Sequence, residues 1–447
     1  MTKEIIDYLS ELIALPSISA FNTNRSFSIQ TANKISEKLR LIGAEVKIVD
    51  NVIPGKNPII LAKLGDDPTK KTILFYSHYD VQPAAKEDGW DYDPFDLKEL
   101  DGYVYGRGVS DDKGPLVATY FAVKELIDEG KLNVNVCFVY EGEEESSSGG
   151  FEDTLEMHKD FYNDIDGIMI LDTSWFGEET PSMDYGFRGV TYMGIQIQGP
   201  NKDQHSGLVG GVIREPMEDL IYLMSKLKQF DGKVLINGFY DKVLPLTDEE
   251  KELYSNIEFD LEEFKKYLGR NTLLSEDTTT MLMNNWRNPT LSLHGIQGAF
   301  SEDGSKTVVP GKVIGKVSMR LVPNQDPKEI AQLFIDHITN EFNKINSPNK
   351  LDILTIGTGD WWYGDVNNFL FSAGKEAINE YWQIEPAFTR SGGSIPIIPF
   401  MEKLFDAPAM GLGIGQSTDG AHSQNERLRI KNLIGGKEVI KKILSKL

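Results

Sequence analysis

The chain has 447 residues, and its 46 basic and 68 acidic residues give it a net charge of −22. Hydrophobic cores stop growing near about 250 to 300 residues, so this length predicts roughly two domains. The excess negative charge repels phosphate backbones and anionic lipid surfaces, and we therefore expect neither nucleic acid nor a membrane as a partner.

Residues 1–19 place apolar side chains at helical spacing between charged ones, which predicts an amphipathic surface helix rather than a signal segment. The sequence contains no run of about 18 uncharged apolar residues, so no membrane-spanning helix is predicted. The one cysteine, Cys137, lies within an apolar run and is predicted to be a buried strand residue. A single cysteine cannot form an internal disulfide, which fits a reducing compartment and predicts a cytoplasmic protein.

Between residues 28 and 175, helical patterns alternate with short apolar runs, an order that is typical of βαβ units. A helix is predicted over 29–41. Strands buried on both faces are predicted at 59–64, 72–76, 136–140 and 168–171. The pattern predicts an α/β domain that is built on a mainly parallel sheet with helices on both faces.

A different pattern begins near Gly189. A half-exposed strand is predicted at 190–198 and a helix at 215–230. The same order returns as a strand at 308–322 and a helix at 327–343. We interpret this part of the chain as a separate α+β layer.

Residues 231–287 interrupt the second part with an acidic and largely helical stretch, which we interpret as an insertion with a solvated helical face. Further on, a predicted helix at 367–381 and a glycine-rich segment at 391–415 indicate that the chain re-enters the first domain. The predicted boundaries are 1–187 and 361–447 for the first domain and 188–360 for the second.

Two candidate groups follow the predicted strand at 72–76. His78 lies at the carboxyl end of this buried strand, where open α/β sheets place their ligand sites. Asp80 lies two residues on, and its carboxylate can accept the second imidazole N–H of His78, which fixes the tautomer of the ring. From these residues alone, a structural role for the pair stays open.

An acidic cluster directly follows the predicted strand at 136–140 and comprises Glu141, Glu143, Glu144 and Glu145. Like charges this close repel each other, so the cluster predicts a bound cation. In an adjacent pair such as Glu144 and Glu145, one carboxylate can bind a metal while its neighbour takes a proton from bound water.

Asp172 closes the fourth predicted strand, so it belongs to the same sheet edge as His78 and Glu145. These residues are too far apart in sequence for a local metal loop, which excludes a zinc finger and implies a site assembled by the fold. Asp111 lies in a glycine-rich segment whose composition also suits an ordinary turn. Nothing in the local sequence singles out His422.

Taken together, these segments resemble the co-catalytic zinc peptidase family of carnosinase, cytosolic nonspecific dipeptidase, aminoacylase and succinyl-diaminopimelate desuccinylase. The likeness is greatest to the branch of carnosinase and nonspecific dipeptidase. Its H-x-D pair, Gly-Arg-Gly-x-x-Asp loop, E-G-x-E-E segment and Gly-Ala-His-Ser-Gln-Asn-Glu segment all occur here in order. So do its His-Ser-Gly segment, at 205–207, and its Ser-Leu-His-Gly-Ile stretch, at 292–296. The resemblance covers nearly the whole chain.

The resemblance implies two divalent metal ions per subunit, zinc or manganese. It implies that Asp111 bridges the two ions. His78 and Asp172 would complete one site, and Glu145 and His422 would complete the other. Both metals accept imidazole and carboxylate ligands, so the residue types do not decide between them.

The resemblance also implies that Glu144 is the general base and that Asp80 supports the metal-bound histidine. Glu143 stands where relatives often carry an apolar residue. A shift of one residue in the alignment would exchange the roles of Glu144 and Glu145, and this alternative stays open from the sequence.

The segment around the bridging carboxylate carries two further expectations. The resemblance implies a cis peptide bond between Asp111 and Asp112. Asp112 itself stands where relatives often carry Asn, which predicts an added negative charge near the metals and a changed metal preference.

Substrate recognition is implied for the second domain, which would be a lid and dimerisation domain inserted into the catalytic domain. In a homodimer, His205 would reach the active site of the partner subunit. Arg320 matches an arginine that grips the carboxylate of the substrate, for which bidentate geometry suits arginine. Gly393 and Ser394 match a loop that lines the pocket.

The implied activity is metal-dependent hydrolysis of the peptide bond of dipeptides or short peptides with a free C-terminal carboxylate, by a hydroxide that bridges the metals, with Glu144 as general base. An N-acyl-amino-acid amidohydrolase that uses the same site is the nearest alternative. A non-catalytic metal-dependent binding protein is another, but binding alone needs no free base such as Glu144. The acidic composition disfavours a two-metal phosphatase.

Overall fold

The computed structural model describes residues 2–255, 257 and 259–447, which divide into two compact units. The first unit runs up to Tyr185 and also comprises Gly364–Thr389 and Ile397–Leu447. The second unit comprises Gly186–Tyr363 and Arg390–Pro396. Each unit has a hydrophobic core of its own.

The described helices and strands follow each other along the whole chain. The helices are α1 (Thr2–Ile13), α2 (Arg25–Leu41), α3 (Lys113–Asp128), α4 (Phe151–His158), α5 (Ser206–Val209), α6 (Pro216–Ser225), α7 (Asp248–Ser255), α8 (Leu261–Leu268), α9 (Thr278–Trp286), α10 (Pro327–Ile345), α11 (Phe369–Trp382), α12 (Ile397–Phe405) and α13 (Ile430–Lys446). The strands are β1 (Glu45–Val49), β2 (Ile59–Leu64), β3 (Thr72–His78), β4 (Lys98–Leu100), β5 (Tyr103–Tyr105), β6 (Asn135–Glu141), β7 (Gly167–Ile170), β8 (Ser174–Trp175), β9 (Ser182–Phe187), β10 (Gly189–Gln198), β11 (Gln204–His205), β12 (Thr290–Gln297), β13 (Val308–Val309), β14 (Lys312–Leu321), β15 (Lys350–Gly359), β16 (Trp362–Tyr363), β17 (Ala387–Ser391), β18 (Ala409–Leu412), β19 (Gly415–Gln416) and β20 (Arg427–Arg429).

The first unit is built on a sheet with the strand order β1-β2-β6-β3-β7-β18-β9. Its central strands β6, β3, β7 and β18 run parallel, and antiparallel strands flank them on both sides. Phe75 of β3 joins the core cluster that includes Val117 of α3, while Tyr76, on the opposite face, contacts Phe151 of α4. Helices therefore cover both faces, which confirms the predicted α/β class.

Cys137 lies on β6 and is buried, as predicted. Burial raises the pKa of its thiol to about 12, so the side chain behaves as a small apolar group. Among the residues that the structure describes, no helix has both the length and the apolar composition that crossing a membrane requires.

The second unit contains a four-stranded antiparallel sheet with the order β12-β14-β10-β15. Alternate residues of β10, among them Met193, Ile195 and Ile197, enter a core that also contains Leu220 of α6 and Phe334 of α10. One face of the sheet is thus packed against helices, which confirms the predicted α+β layer.

The helix α10 shows how the local sequence fixes an element of this unit. Its first residue is Pro327, whose missing N–H costs nothing at this position. The side chain of Asp326 accepts hydrogen bonds from the N–H groups of Lys328 and Glu329, and so caps the start of the helix. The helix ends at Ile345, and the next residue, Asn346, adopts a left-handed conformation.

Two predicted elements differ from the structure. The helix predicted at 215–230 ends at Ser225, because Lys228 already forms a bridge with Val234 in a tight turn. The strand predicted at 308–322 is divided into β13 and β14. Pro310 lies at the division, and proline has no N–H to donate to a neighbouring strand.

The glycine-rich segment predicted at 391–415 contains a helix, α12, and the parallel strand β18. The acidic stretch at 231–287 contains α7, α8 and α9. Tyr254 of α7 and Trp286 of α9 are buried, and their ring centroids lie 5.9 Å apart. The stretch therefore has an apolar contact of its own, which the prediction of a solvated helical face did not include.

Candidate metal centre

The carboxyl ends of β3, β6 and β7 meet at one edge of the sheet, because these strands are parallel neighbours. His78 is the last residue of β3 and pairs with Glu141, the last residue of β6. Asp172 follows β7 after a single intervening residue, and the acidic cluster follows β6. The fold therefore brings together residues that are far apart in sequence.

Two groups of side chains at this edge could each hold a metal ion. His78, Asp111 and Asp172 form one group, and Asp111, Glu145 and His422 form the other, with one potential ligand atom from each residue within 4.8 Å of the others in its group. Oδ1 of Asp111 lies 2.9 Å from Nε2 of His78, and Oδ2 lies 2.9 Å from Nε2 of His422. Asp111 thus offers a different oxygen to each histidine, which suits a ligand shared by two ions.

Asp80 lies behind the first group and is fully buried. Its Oδ1 lies 3.4 Å from Nδ1 of His78, the ring nitrogen that does not face Asp111. The same carboxylate accepts hydrogen bonds from the backbone N–H groups of Glu144 at 3.2 Å and Glu145 at 3.1 Å. Asp80 therefore fixes both the imidazole ring and the start of the acidic segment.

The acidic segment has a definite register in the structure. Glu143 is buried and forms an ion pair with Nζ of Lys56 at 2.6 Å, and it also accepts the N–H of Asn57 at 2.8 Å. Oε2 of Glu145, in contrast, lies 3.0 Å from Nε2 of His422. The preceding Gly142 has no room for a side chain, because a Cβ would lie 2.4 Å from the ring of Tyr79. The contacts favour the alignment without a shift.

The peptide bond between Asp111 and Asp112 is cis, as the resemblance implied. Asp112 is fully buried, and its Oδ2 accepts hydrogen bonds from Oγ of Ser77 and from the N–H of His78. Burial raises the pKa of Asp112 well above its usual range, and Asp172 acts in the same direction. This shift is in the direction of the neutral acid, and the effect of Asp112 on the metal preference stays a prediction.

The candidate ligands concentrate negative charge in a partly buried place, where His78 is buried, the carboxylates are partly buried and His422 is exposed. Burial raises the pKa of Asp172 to about 7, and the charge of Asp111 adds to this effect. Burial and then the charge of Asp172 raise the pKa of Glu144 well above its usual range. Hydrogen bonds to Asp111 and Glu145 raise the pKa of His422 to about 11. Each shift has the direction expected where carboxylates repel each other and attract protons.

Divalent cations fit this arrangement. Each group supplies one imidazole nitrogen and carboxylate oxygens, which is a ligand set that zinc and manganese accept. A positive ion in either group would offset the repulsion between Asp111 and its neighbouring carboxylate. The geometry and the charge both point to the same kind of ligand.

The substrate-binding residues implied by the resemblance lie in the second unit. His205 ends β11, is exposed, and accepts the N–H of Gly207 at Nδ1 with a distance of 2.9 Å. Arg320 lies on β14, and its Nη1 donates a hydrogen bond to Oγ of Ser394. Gly393 accepts a hydrogen bond at its carbonyl oxygen from a backbone N–H at 2.9 Å.

That N–H belongs to Arg188, a buried residue that the sequence did not single out. Its guanidinium donates to the carbonyl oxygen of Gly392 at 3.0 Å and to Oγ1 of Thr290 at 3.1 Å. Burial lowers the pKa of Arg188 to about 9, and the charges of Arg320 and Arg390 act in the same direction. Arg188 therefore holds the loop that carries Gly393. In the sequence, the available signal for Arg188 was a single charged residue between the strands β9 and β10.

The sequence of this chain is similar to a protein family and to individual proteins of known name. The profile of peptidase family M20/M25/M40 matches residues 74–446. The chain is 42% identical over 450 residues to the Cys-Gly metallodipeptidase DUG1 of Candida albicans, which covers 97% of this chain and 92% of that protein. It is 38% identical over 448 residues to the Beta-Ala-His dipeptidase of Rattus norvegicus, covering 98% and 91% of the two chains.

Solved structures include a similar fold. The structure of the dipeptidase Dug1p from Saccharomyces cerevisiae matches with a TM-score of 0.92 and 39% sequence identity, over 99% of this chain and 95% of that chain. The family profile and these relatives cover most of the sequence, including every strand end that contributes to the metal centre. The chain belongs to peptidase family M20/M25/M40.

Proposed function

We propose that this chain is a two-metal dipeptidase, which hydrolyses the peptide bond of dipeptides or short peptides that have a free C-terminal carboxylate. The observation that carries the proposal is the placement of Asp111, whose two oxygens face the two histidines of adjacent candidate metal sites. The similar proteins named above are dipeptidases by name. They favour a dipeptide over the N-acyl amino acid of the alternative.

The metal roles follow the two groups of side chains. His78 and Asp172 would hold one ion, Glu145 and His422 would hold the other, and Asp111 would bridge them. We propose zinc or manganese for both positions. When bound, such ions lower the pKa of water and polarise the substrate carbonyl.

Glu144 is the proposed general base. Its carboxylate is free to accept a proton from the attacking water and to return it to the leaving amine at the same oxygen. Burial raises its pKa, and a carboxylate with a raised pKa is a stronger base. Asp80 accepts the backbone N–H of Glu144 and so holds the base at the edge of the sheet.

Arg320 is proposed to bind the carboxylate of the substrate. Its hydrogen-bond partner Ser394 is neutral, and among the described residues no acidic side chain forms an ion pair with it. Burial lowers the pKa of Arg320, which is the direction expected for a desolvated cation without a compensating anion. A substrate carboxylate would supply that anion and, with bidentate hydrogen bonds, orient the scissile bond.

The first prediction concerns metal content. Asp111→Asn replaces the proposed bridging carboxylate with a neutral amide that has one oxygen. We therefore expect this variant to lose ions from both positions. Asp172→Asn changes one group, and we expect it to retain about one ion per subunit where the unsubstituted protein retains about two. Metal analysis after gel filtration measures these numbers.

A buried aspartate outside the centre provides the control. Asp184 lies on β9 and accepts a hydrogen bond from Oγ1 of Thr389 at 2.7 Å. Asp184→Asn is expected to keep the metal content of the unsubstituted protein. Equal metal loss in Asp111→Asn and Asp172→Asn would contradict a bridging role for Asp111.

The second prediction concerns the base. Glu144→Gln removes the proton acceptor but keeps the size of the side chain, so kcat is expected to fall by about 10³-fold with metal content unchanged. The matched control is Glu143→Gln, because the adjacent Glu143 is engaged with Lys56 and not with the candidate ligands. We expect it to keep kcat within a few-fold. Undiminished turnover by Glu144→Gln, or a larger loss in Glu143→Gln, would count against the assignment.

The third prediction concerns the substrate. Enzyme reconstituted with zinc or with manganese is assayed on a dipeptide, on the same dipeptide as its C-terminal amide, and on an N-acetyl amino acid. We expect the free dipeptide to be the best substrate in kcat/KM. Arg320→Met is expected to raise KM for the free dipeptide by about 10-fold to 10²-fold and to leave the amide unaffected, because the lost contact is a charge-assisted pair. Faster cleavage of the N-acetyl compound would select the deacylase alternative.

The fourth prediction concerns the assembly, for which we propose a homodimer in which His205 acts in the active site of the partner subunit. The Glu144→Gln and His205→Ala variants are each expected to be nearly inactive. When they are mixed and allowed to exchange subunits, one complete site forms in each mixed dimer, and about a quarter of the native activity should return. Without recovery after confirmed subunit exchange, His205 does not act across an interface.

A further inference from the structure

Glu426 is a fully buried acid whose carboxylate grips a single loop. Its Oε2 accepts hydrogen bonds from Nη1 of Arg107 at 2.7 Å and from the N–H of Gly108 at 2.9 Å. Its Oε1 accepts hydrogen bonds from the N–H and the Oγ of Ser110, both at 2.9 Å, and from the N–H of Asp111 at 3.1 Å. All these partners donate hydrogen bonds, and both oxygens of the Glu426 carboxylate accept them.

The loop can surround this carboxylate because of one glycine. Gly108 has a φ of +94°, which is a left-handed backbone conformation that residues with a side chain rarely adopt. A Cβ on this residue would also lie 2.8 Å from Cγ1 of Val81. The conformation turns the N–H of Gly108 toward Glu426, and the next residues continue the same enclosure.

Hydrogen bonds to backbone carbonyl oxygens also join the same two segments. The N–H of Gly106 donates to the carbonyl oxygen of Glu426 at 3.0 Å, and Nη2 of Arg107 donates to the carbonyl oxygen of Ser423 at 3.1 Å. Glu426 and Asp111 are 315 residues apart in the chain. The placement of one segment against the other therefore depends on these tertiary contacts.

Each of the joined segments carries a candidate metal ligand. The N–H of Asp111 donates a hydrogen bond to Oε1 of Glu426, and His422 precedes Glu426 by four residues. His422 has a φ of 61°, which a residue with a side chain adopts when its surroundings hold it there. Nε2 of His422 and Oδ2 of Asp111 lie 2.9 Å apart.

We propose that Glu426 is a positioning residue that sets the metal affinity of the centre by fixing the segment of Asp111 against the segment of His422. This proposal rests on the proposed two-metal function. It gives a role in metal binding to a residue that is neither a metal ligand nor the general base. Both oxygens of Glu426 are occupied by loop donors, so its effect passes through the ligands and not through direct contact with an ion.

The test compares Glu426→Gln with the unsubstituted protein, using metal-free protein to which zinc or manganese is returned. The amide places an NH₂ group against donors of the loop, so we expect the affinity for the ions to fall by about 10-fold to 100-fold. Competition with a chromophoric chelator measures this without any turnover. At saturating metal, kcat on a dipeptide is expected to fall while KM changes by less than about twofold, because substrate anchoring lies elsewhere.

A buried and ion-paired acid outside the candidate metal centre separates positioning from stability. Glu125 of α3 pairs with Lys437 at 2.5 Å and Lys441 at 3.1 Å, and both lysines are on α13. Glu125→Gln is expected to lower the unfolding temperature of the metal-free protein without changing metal affinity. If Glu426→Gln binds metal as tightly as the unsubstituted protein and Glu125→Gln, the positioning role is wrong.

A milder variant covers the case in which Glu426→Gln does not fold. Ser110→Ala deletes one hydroxyl donor to Oε1 and leaves the backbone donors in place. We expect a weakening of metal binding by a few-fold, and unchanged affinity in this variant would overturn the proposal. If the unsubstituted protein binds the ions but cleaves no dipeptide, the proposed function fails, whereas weakened metal binding in the variants still supports positioning by Glu426.

Discussion

Repulsion among partly buried carboxylates at the edge of a parallel sheet is the constraint on which the candidate metal centre depends. Glu145 and Asp172 meet there because the strands β6 and β7 run parallel to β3, and the loop before α3 brings Asp111 to the same place. The raised pKa of Asp172 reflects the cost of keeping such groups charged and buried. Bound cations would offset that cost, so metal binding would be coupled to the stability of the first unit.

Neighbouring acids avoid the same repulsion by accepting hydrogen bonds from the chain. Asp80 accepts backbone N–H groups, Glu143 pairs with Lys56, and Glu426 is enclosed by the loop of Asp111. Hydrogen bonds and an ion pair fix the carboxylates of these acids, whereas the carboxylate oxygens of the candidate ligands lie close to one another. The difference lies in where the donors are, and not in residue type, so neighbouring glutamates of this acidic segment have different surroundings.

Part of this arrangement follows from local sequence and part does not. The strand at 59–64 was predicted with its observed bounds, because a short apolar run is a local pattern. Strand ends also pointed to Glu145 and Asp172. His422 could not be found in this way, since its position depends on contacts with a loop distant in sequence. The register of the acidic segment likewise depends on the distant ion pair of Glu143, which no local spacing encodes.

The second unit has the opposite charge at its buried positions. Carboxylates gather in the candidate metal centre, whereas the second unit brings arginines close to one another. Arg188 bonds to neutral oxygens, and the charges of Arg320 and Arg390 disfavour its protonation. Glu250 of α7 accepts from Arg390 and from Arg287, so the stretch at 231–287 supplies an anion as well as a solvated surface. Arg320 does not share this compensation among the described residues. In the proposed function, a carboxylate carried by the substrate would provide that anion.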